Sequence, residues 1–284
     1  MKHNNIIIIG APRSGTNMLR DVLCRLDNVA TWPCDEINYI WRHGNIRYPS
    51  DEFSLEMATP EIASFIRKQF DWVAQQYHAN TVIEKTCANS LRVPFVNSVV
   101  PDAKYIFIHR DGLDVVGSAL KRWKAPLDMP YLIKKARFVP LSDLPYYASK
   151  YLFNRIYRLI SKENRLAFWG PRLSNMDELL INHNLEEICA LQWQACVEKS
   201  IDALEQLPSE QWIKVGYEDL VTQPESVFSR IADFLQLSLS QDQLKSATQN
   251  IRADSVGKGR AMLSQSQLEH LSSMVSNTMI RLDY

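Results

Sequence analysis

The sequence predicts an α/β fold, a parallel β-sheet flanked by helices and carrying a helical insertion. Three observations predict it. Short apolar runs of strand character recur and alternate with helix-periodic stretches; a glycine-bounded loop joins the first run to the first helix; and the pattern breaks down in one proline-interrupted block in the middle.

The first run is Asn5 to Ile9, rich in isoleucine, and Gly10 to Gly15 is loop chemistry. Met18, Leu19, Val22, Leu23 and Leu26 then repeat at helical spacing, which completes the first half of a βαβ unit. Thr81 to Glu84 and Lys104 to Ile108 are the second and third runs, separated by a helical stretch that Pro101 closes. A fourth run is Trp212 to Val215. Ile188, Leu191, Gln192, Ala195 and Ile201 mark a later helix, Pro224 to Leu235 another, and Ser264 to Leu282 a C-terminal one.

Between residues 123 and 185, prolines 126, 130, 140, 145 and 171 interrupt aromatic pieces such as Tyr146-Tyr147 and Phe168-Trp169. This block is expected to be an inserted helical or lid region, packed over the sheet edge within a single domain spanning 1–284.

The chain has 284 residues, 46% of them hydrophobic, enough for a sizeable core. Lys plus Arg and Asp plus Glu both total 32. With no global basic field, nucleic acid is not an expected partner, and any anion site must be local. The five cysteines form no CxxC pair and read as reduced thiols. No apolar stretch has the roughly 18 residues of a membrane span, and no signal-peptide pattern opens the sequence. The expected compartment is the cytoplasm, and oligomeric state is not legible.

Gly10-Ala11-Pro12-Arg13-Ser14-Gly15-Thr16-Asn17 follows a strand and opens a helix, the place where backbone N–H groups and the helix dipole create an anion site. Its glycine spacing is that of a P-loop. A nucleoside triphosphatase needs Lys and Ser/Thr after the second glycine, for the β/γ-phosphates and for Mg²⁺. Thr16 and Asn17 stand there instead, and the cation has moved inside the loop to Arg13. Read alone, the loop is also compatible with a turn bearing a surface arginine. Arg110 ends the third strand in His109-Arg110-Asp111-Gly112, and Ser118 follows on the next helix. Strand ends at the carboxyl edge of a parallel sheet form the ligand crevice, so Arg110 and Ser118 suit a second phosphate beside the first.

Together these residues resemble the PAPS-dependent sulfotransferases, in particular the branch that includes tyrosylprotein, heparan-type and bacterial enzymes. Gly10 to Leu19 resembles the 5′-phosphosulfate loop of that family and Tyr105 to Ser118 its 3′-phosphate motif. Glu84-Lys85-Thr86, Tyr217-Glu218-Asp219-Leu220 and Ser255-Val256-Gly257-Lys258-Gly259-Arg260 resemble further family segments. The resemblance covers roughly 1–122 and 186–284. It implies the donor 3′-phosphoadenosine-5′-phosphosulfate (PAPS) and no metal. Arg13, Ser14, Gly15, Thr16 and Asn17 would hold the 5′-phosphosulfate, Arg110 and Ser118 the 3′-phosphate, and Tyr217 the nucleoside region. Ser255, Gly257, Lys258, Gly259 and Arg260 would close over the donor. The loop reads Gly-Thr-Asn where the family usually reads Gly-Thr-Thr, and the C-terminal loop is shorter than in the cytosolic branch.

In-line sulfonyl transfer needs a base beside the acceptor and a cation beside the departing phosphate oxygen. The resemblance assigns the cation to Lys85 and, with Arg13, the catalytic set. Glu36 is the first choice of base, with Asp35, Glu84 and His43 as alternatives. The expected acceptor is a hydroxyl or amine of a saccharide or small polar metabolite. Tyr39 to His43 offers either a stacking surface or packing, and Arg42, Arg47 and Arg92 a local basic patch. The competing readings are a P-loop-like nucleotide kinase and a non-catalytic nucleotide-binding module.

Overall fold

Ile6 and Ile8 enter one apolar cluster, and Ile7 and Ile9 another, because successive side chains of a strand point to opposite faces. The computed structural model describes residues 3–125, 136–160 and 168–284. In it these isoleucines form β1 (Asn4–Ile9), the centre of a sheet completed by β2 (Val29–Ala30), β3 (Thr81–Lys85), β4 (Lys104–His109) and β5 (Trp212–Gly216). The order is β2-β3-β1-β4-β5. Each pairing is parallel, with Ile8 level with Lys85 on one side and Ile106 on the other.

The helix Thr16–Leu23 packs Leu19, Val22 and Leu23 on the Ile6 and Ile8 face, together with the helices Pro224–Phe234 and Gln241–Thr248. The helix Gly112–Trp123 packs Leu113, Val116 and Trp123 on the other face, against Trp193 of the helix Leu185–Leu204. The chain thus leaves the adjacent strands β1 and β4 toward opposite faces. Two loops that part in this way open a crevice at the carboxyl edge of the sheet.

The expected strands are all present, each extended by a residue or so. Two-residue β2 has no sequence pattern to announce it. The helix Pro60–Gln76, capped by Thr59 with Pro60 in its first turn, and the helix Gln241–Thr248 also go beyond the sequence reading. Within 123–185 the described parts hold the helices Leu144–Ile160 and Met176–Asn182; residues 126–135 and 161–167, with Pro126 and Pro130, lie outside the described residues. No helix of the described residues is long and apolar enough to cross a membrane.

Of the three arginines that could form a basic patch, only Arg47 is exposed. Arg42 and Arg92 are buried around Asp51, at 2.8 and 3.6 Å, and flank the Phe53 ring. A buried cation needs a paired anion, and Asp51 supplies it for both. Trp41 of the aromatic stretch is likewise core, edge-on to Phe70 and Phe95.

The C-terminal segment is locked to the Gly112–Trp123 helix through glycines. A Cβ at Gly117 would overlap the Gly259 carbonyl, and one at Gly259 would overlap the Asp114 carbonyl. At this close approach the Asp114 carboxylate accepts from the N–H groups of Gly257, Gly259 and Arg260 at 2.9, 2.7 and 3.0 Å, and from Arg110 at 2.5 Å. Burial alone would raise the Asp114 pKa, yet these donors hold it below the usual carboxylate range. Gly117→Ala is expected to lower stability by about 1–3 kcal/mol, the scale of an overpacked core, read as a reduced denaturant midpoint at unchanged m-value.

His109 ends β4 nearly buried, edge-on to Tyr284, and burial, then the Lys214 charge, lowers its pKa to about 4. An unfolded-state imidazole takes its proton near 6.5. Between those values acid therefore favours the unfolded chain, and stability is lost as pH falls from about 6.5 toward about 4. The denaturant midpoint should drop between pH 7 and pH 5, and His109→Phe should flatten that slope.

Candidate active site

The crevice at the carboxyl edge of β1, β3 and β4 has a volume of about 690 Å³. Of the residues singled out in the sequence, Arg13, Gly15, Thr16, Asn17, Asp35, Glu36, Lys85, Arg110, Tyr217 and Ser255 line it. The loop after β1 turns through Arg13 in the left-handed region, φ 73°, and Gly15, φ 89°. A side chain at Gly15 would also collide with the Tyr217 ring, so the loop closes on Tyr217 only because residue 15 is glycine.

Arg110 joins the loops after β1 and β4. One of its terminal nitrogens donates to the Arg13 carbonyl at 3.1 Å; the other reaches Asp114 and the Ser255 carbonyl. Its guanidinium lies 4.3 Å from the centre of the Tyr217 ring. Arg13 Nε donates to Ser118 Oγ at 2.9 Å, which brings Ser118 to the same place. Partial desolvation, then the positive charges of Arg122 and Arg110, lowers the Arg13 pKa. Cations gathered in one crevice in this way suit a multiply charged anion. Arg110 Nε and Ser14 Oγ add two buried polar atoms without a partner among the described residues, which also fits a phosphate-rich ligand.

At the other end the Lys85 side chain is 1% exposed, and its Nζ lies 3.1 Å from Glu36 Oε1 and 3.3 Å from Asp35 Oδ1. Burial would lower the Lys85 pKa, but Glu36 and Asp35 hold it above its ordinary value, so the side chain is a fixed cation. Glu36 Oε1 also accepts from the Cys87 N–H at 3.4 Å, and Asp35 is held by Arg20 at 3.1 Å. Burial pushes the Cys87 thiol well up, which leaves it neutral beside Thr16 Oγ1 at 3.7 Å.

Other expected residues lie elsewhere. Glu84 is fully buried behind the crevice, bonded to Thr86 and Asn89, with a pKa raised by burial to about 7. His43 bonds to Asp143 at 2.8 Å and rests on Phe65, outside the crevice lining. In the C-terminal loop Gly257, Gly259 and Arg260 turn their N–H groups to Asp114, Arg260 pairs with Asp111 at 2.6 Å, and Lys258 is exposed.

Several site residues escaped the sequence reading. Arg122 and Arg252 line the crevice without any motif to mark them. Asp114 had a usable signal: Arg110 and Asp114 stand four apart at a helix start. Phe168, Trp169 and Pro171 form a wall of the crevice, packed through Phe168 and Trp169 against Trp123. Their backbone is pinned by Gln192 Nε2, which donates to the Trp169 and Pro171 carbonyls at 3.0 and 2.9 Å, and by Asp51, which accepts the Arg172 N–H at 2.8 Å. Among the described residues no group of His, Cys, Asp and Glu has the arrangement of a metal site.

Comparison with known proteins agrees with this fold. The fold is similar to the sulfotransferase domain from the curacin biosynthetic pathway, at TM-score 0.55 and 15% identity over 96% of this chain and 98% of that one. It is also similar to a sulfotransferase from Alicyclobacillus acidocaldarius, at TM-score 0.53 and 16% identity over 100% and 95%. Mouse sulfotransferase SULT7A1, complexed with PAP, aligns at TM-score 0.52 and 12% identity over 98% and 85%. No curated protein gives a significant sequence match. Residues 3–279 match the sulfotransferase domain family, so the crevice belongs to an enzyme of sulfonyl transfer and the chain is a member of that family.

Proposed function

We propose that this sulfotransferase takes its sulfonyl group from PAPS and delivers it to a hydroxyl or amine of a saccharide or small polar metabolite. The observation that carries the reading is the contact between Lys85 Nζ and Glu36 Oε1 at 3.1 Å, set in the same crevice as Arg13 and Arg110. The PAP complex of the mouse relative supports the donor. PAPS supplies a sulfonyl group on a phosphate leaving group.

Glu36 accepts the proton that the acceptor loses, and Lys85 offers a fixed positive charge to the oxygen on which negative charge grows. Arg13, with Ser14 to Asn17, holds the 5′ end of the donor; Arg110 and Ser118 hold the 3′-phosphate; Tyr217 and the Ser255–Arg260 segment border the nucleoside. Thr16 and Asn17 replace the lysine and magnesium-binding hydroxyl of a kinase loop, so these roles need no metal. Phe168 and Trp169 give the acceptor an apolar wall on which a sugar or ring face can rest. Cys24, Cys87, Cys189 and Cys196 are free thiols, which fits a reducing compartment such as the cytoplasm.

Calorimetric titration with 3′-phosphoadenosine-5′-phosphate (PAP) in EDTA should show binding, weakened by about tenfold or more in Arg13→Ala and Arg110→Ala, the scale of a lost charge-assisted hydrogen bond. Binding of ATP with Mg²⁺ in place of PAP would overturn the PAPS reading and favour a kinase-like donor site. Glu36→Gln and Lys85→Ala should each slow PAP release from PAPS, measured with a panel of sugars, amino alcohols and phenols, by about 100-fold or more while PAP still binds. Unchanged release in both variants would remove these two residues from the chemistry. PAP binding without release by the wild-type protein would leave a nucleotide-binding module.

A further inference from the structure

Behind Glu36 lies a chain of buried hydrogen bonds that sulfonyl transfer, as described above, does not use. Glu84, fully buried, accepts from Thr86 Oγ1 at 2.5 Å and from Asn89 Nδ2 at 2.8 Å. Thr86 gives its only proton to Glu84, so its oxygen is oriented to accept, and it accepts from the Ile37 N–H at 3.2 Å. Asn89 Oδ1 in turn accepts from Arg92 Nε at 2.9 Å, and the other arm of Arg92 donates to Asn38 Oδ1 at 2.6 Å. The chain starts at Glu84 and ends, by both branches, on the two residues that follow Glu36.

The same strand end also grips the Glu36 carboxylate. Lys85 Nζ and the Cys87 N–H both donate to Glu36 Oε1. Residues 85 and 87 therefore hold the carboxylate, while residues 84 and 86 hold the backbone that carries it. The short helix Asn38–Trp41 has no side-chain cap of its own; the Ile37 N–H at its start is fixed from outside, by Thr86.

We propose that Glu84 and Thr86 are positioning residues for Glu36: they fix the Ile37 N–H and, through Asn89 and Arg92, the Asn38 side chain, and so hold the Glu36 carboxylate against Lys85. This rests on Glu36 being the base. Neither residue lines the crevice, and the donor-end arginines Arg13 and Arg110 make none of these bonds, so the effect falls on turnover and spares donor affinity.

Thr86→Val keeps the volume and removes the hydroxyl. It is expected to speed hydrogen exchange at the Ile37 amide by about tenfold or more and to slow PAP release from PAPS by a similar factor, the scale of one lost buried hydrogen bond. The PAP dissociation constant should stay within about twofold, and Thr86→Ser should restore both exchange and release. Glu84→Gln, which turns one acceptor into a donor facing Thr86 or Asn89, should move exchange and release in the same direction as Thr86→Val; it carries the test if the valine variant fails to fold. Unchanged Ile37 exchange, or equal losses in release and PAP affinity, or no recovery in Thr86→Ser, overturns the proposal. Glu36→Gln separates the two levels. If it releases PAP at the wild-type rate, the base reading fails and this inference with it. If it is inactive while Thr86→Val is fully active, the positioning role alone fails.

Discussion

A single buried carboxylate, Asp114, ties together the parts of the molecule that the crevice depends on. Three backbone N–H groups from the C-terminal loop and one guanidinium arm of Arg110 converge on it. Arg110 then reaches the Arg13 carbonyl and the Ser255 carbonyl, so the loop after β1, the end of β4 and the segment before the last helix share one anchor. The contact is possible because glycine stands at 117 and 259, where the two backbones meet without side chains between them. An acceptor-only group surrounded by donors is well satisfied in a low-dielectric interior, and it fixes Arg110 before any ligand arrives.

The electrostatics of the crevice divide along its length. Arg13, Arg110 and Arg122 crowd one end, where the charges of Arg122 and Arg110 bear on Arg13. At the other end Lys85 is enclosed by the Glu36 and Asp35 carboxylates. This division follows from the topology. The loop after β1 and the end of β4 adjoin at the sheet centre, whereas β3 lies on the far side of β1 and delivers Lys85 there. The cluster of arginines and the Lys85 ion pairs thus draw on different strands.

The sheet was legible because strands buried on both faces read as unbroken apolar runs, as in Ile6 to Ile9, and the loop after β1 because its glycines and Arg13 stand where β1 ends. Lys85 and Arg110 could be placed at the same edge for the same reason, Lys85 closing β3 and Arg110 directly following β4. What stayed hidden depends on tertiary contact. Arg42 and Arg92 look like surface charge in one dimension and prove to be interior, since only the fold brings Asp51 between them. Glu84, a rival for the base, sits beside Lys85 in sequence but turns to the core, because alternation along β3 sends neighbouring side chains to opposite faces. Nor does any periodicity mark Trp169: a wall residue in an irregular segment has no repeat to betray it.

That wall has a further property. Gln192 and Asp51 hold its backbone through the carbonyls of residues 169 and 171 and the N–H of residue 172, not through the side chains that face the crevice. A backbone secured in this way has polar anchors besides the packing of its own rings. Phe168 and Trp169 also pack on Trp123, at the far end of the helix that carries Asp114, so the wall of the crevice and the Asp114 anchor are two ends of one element.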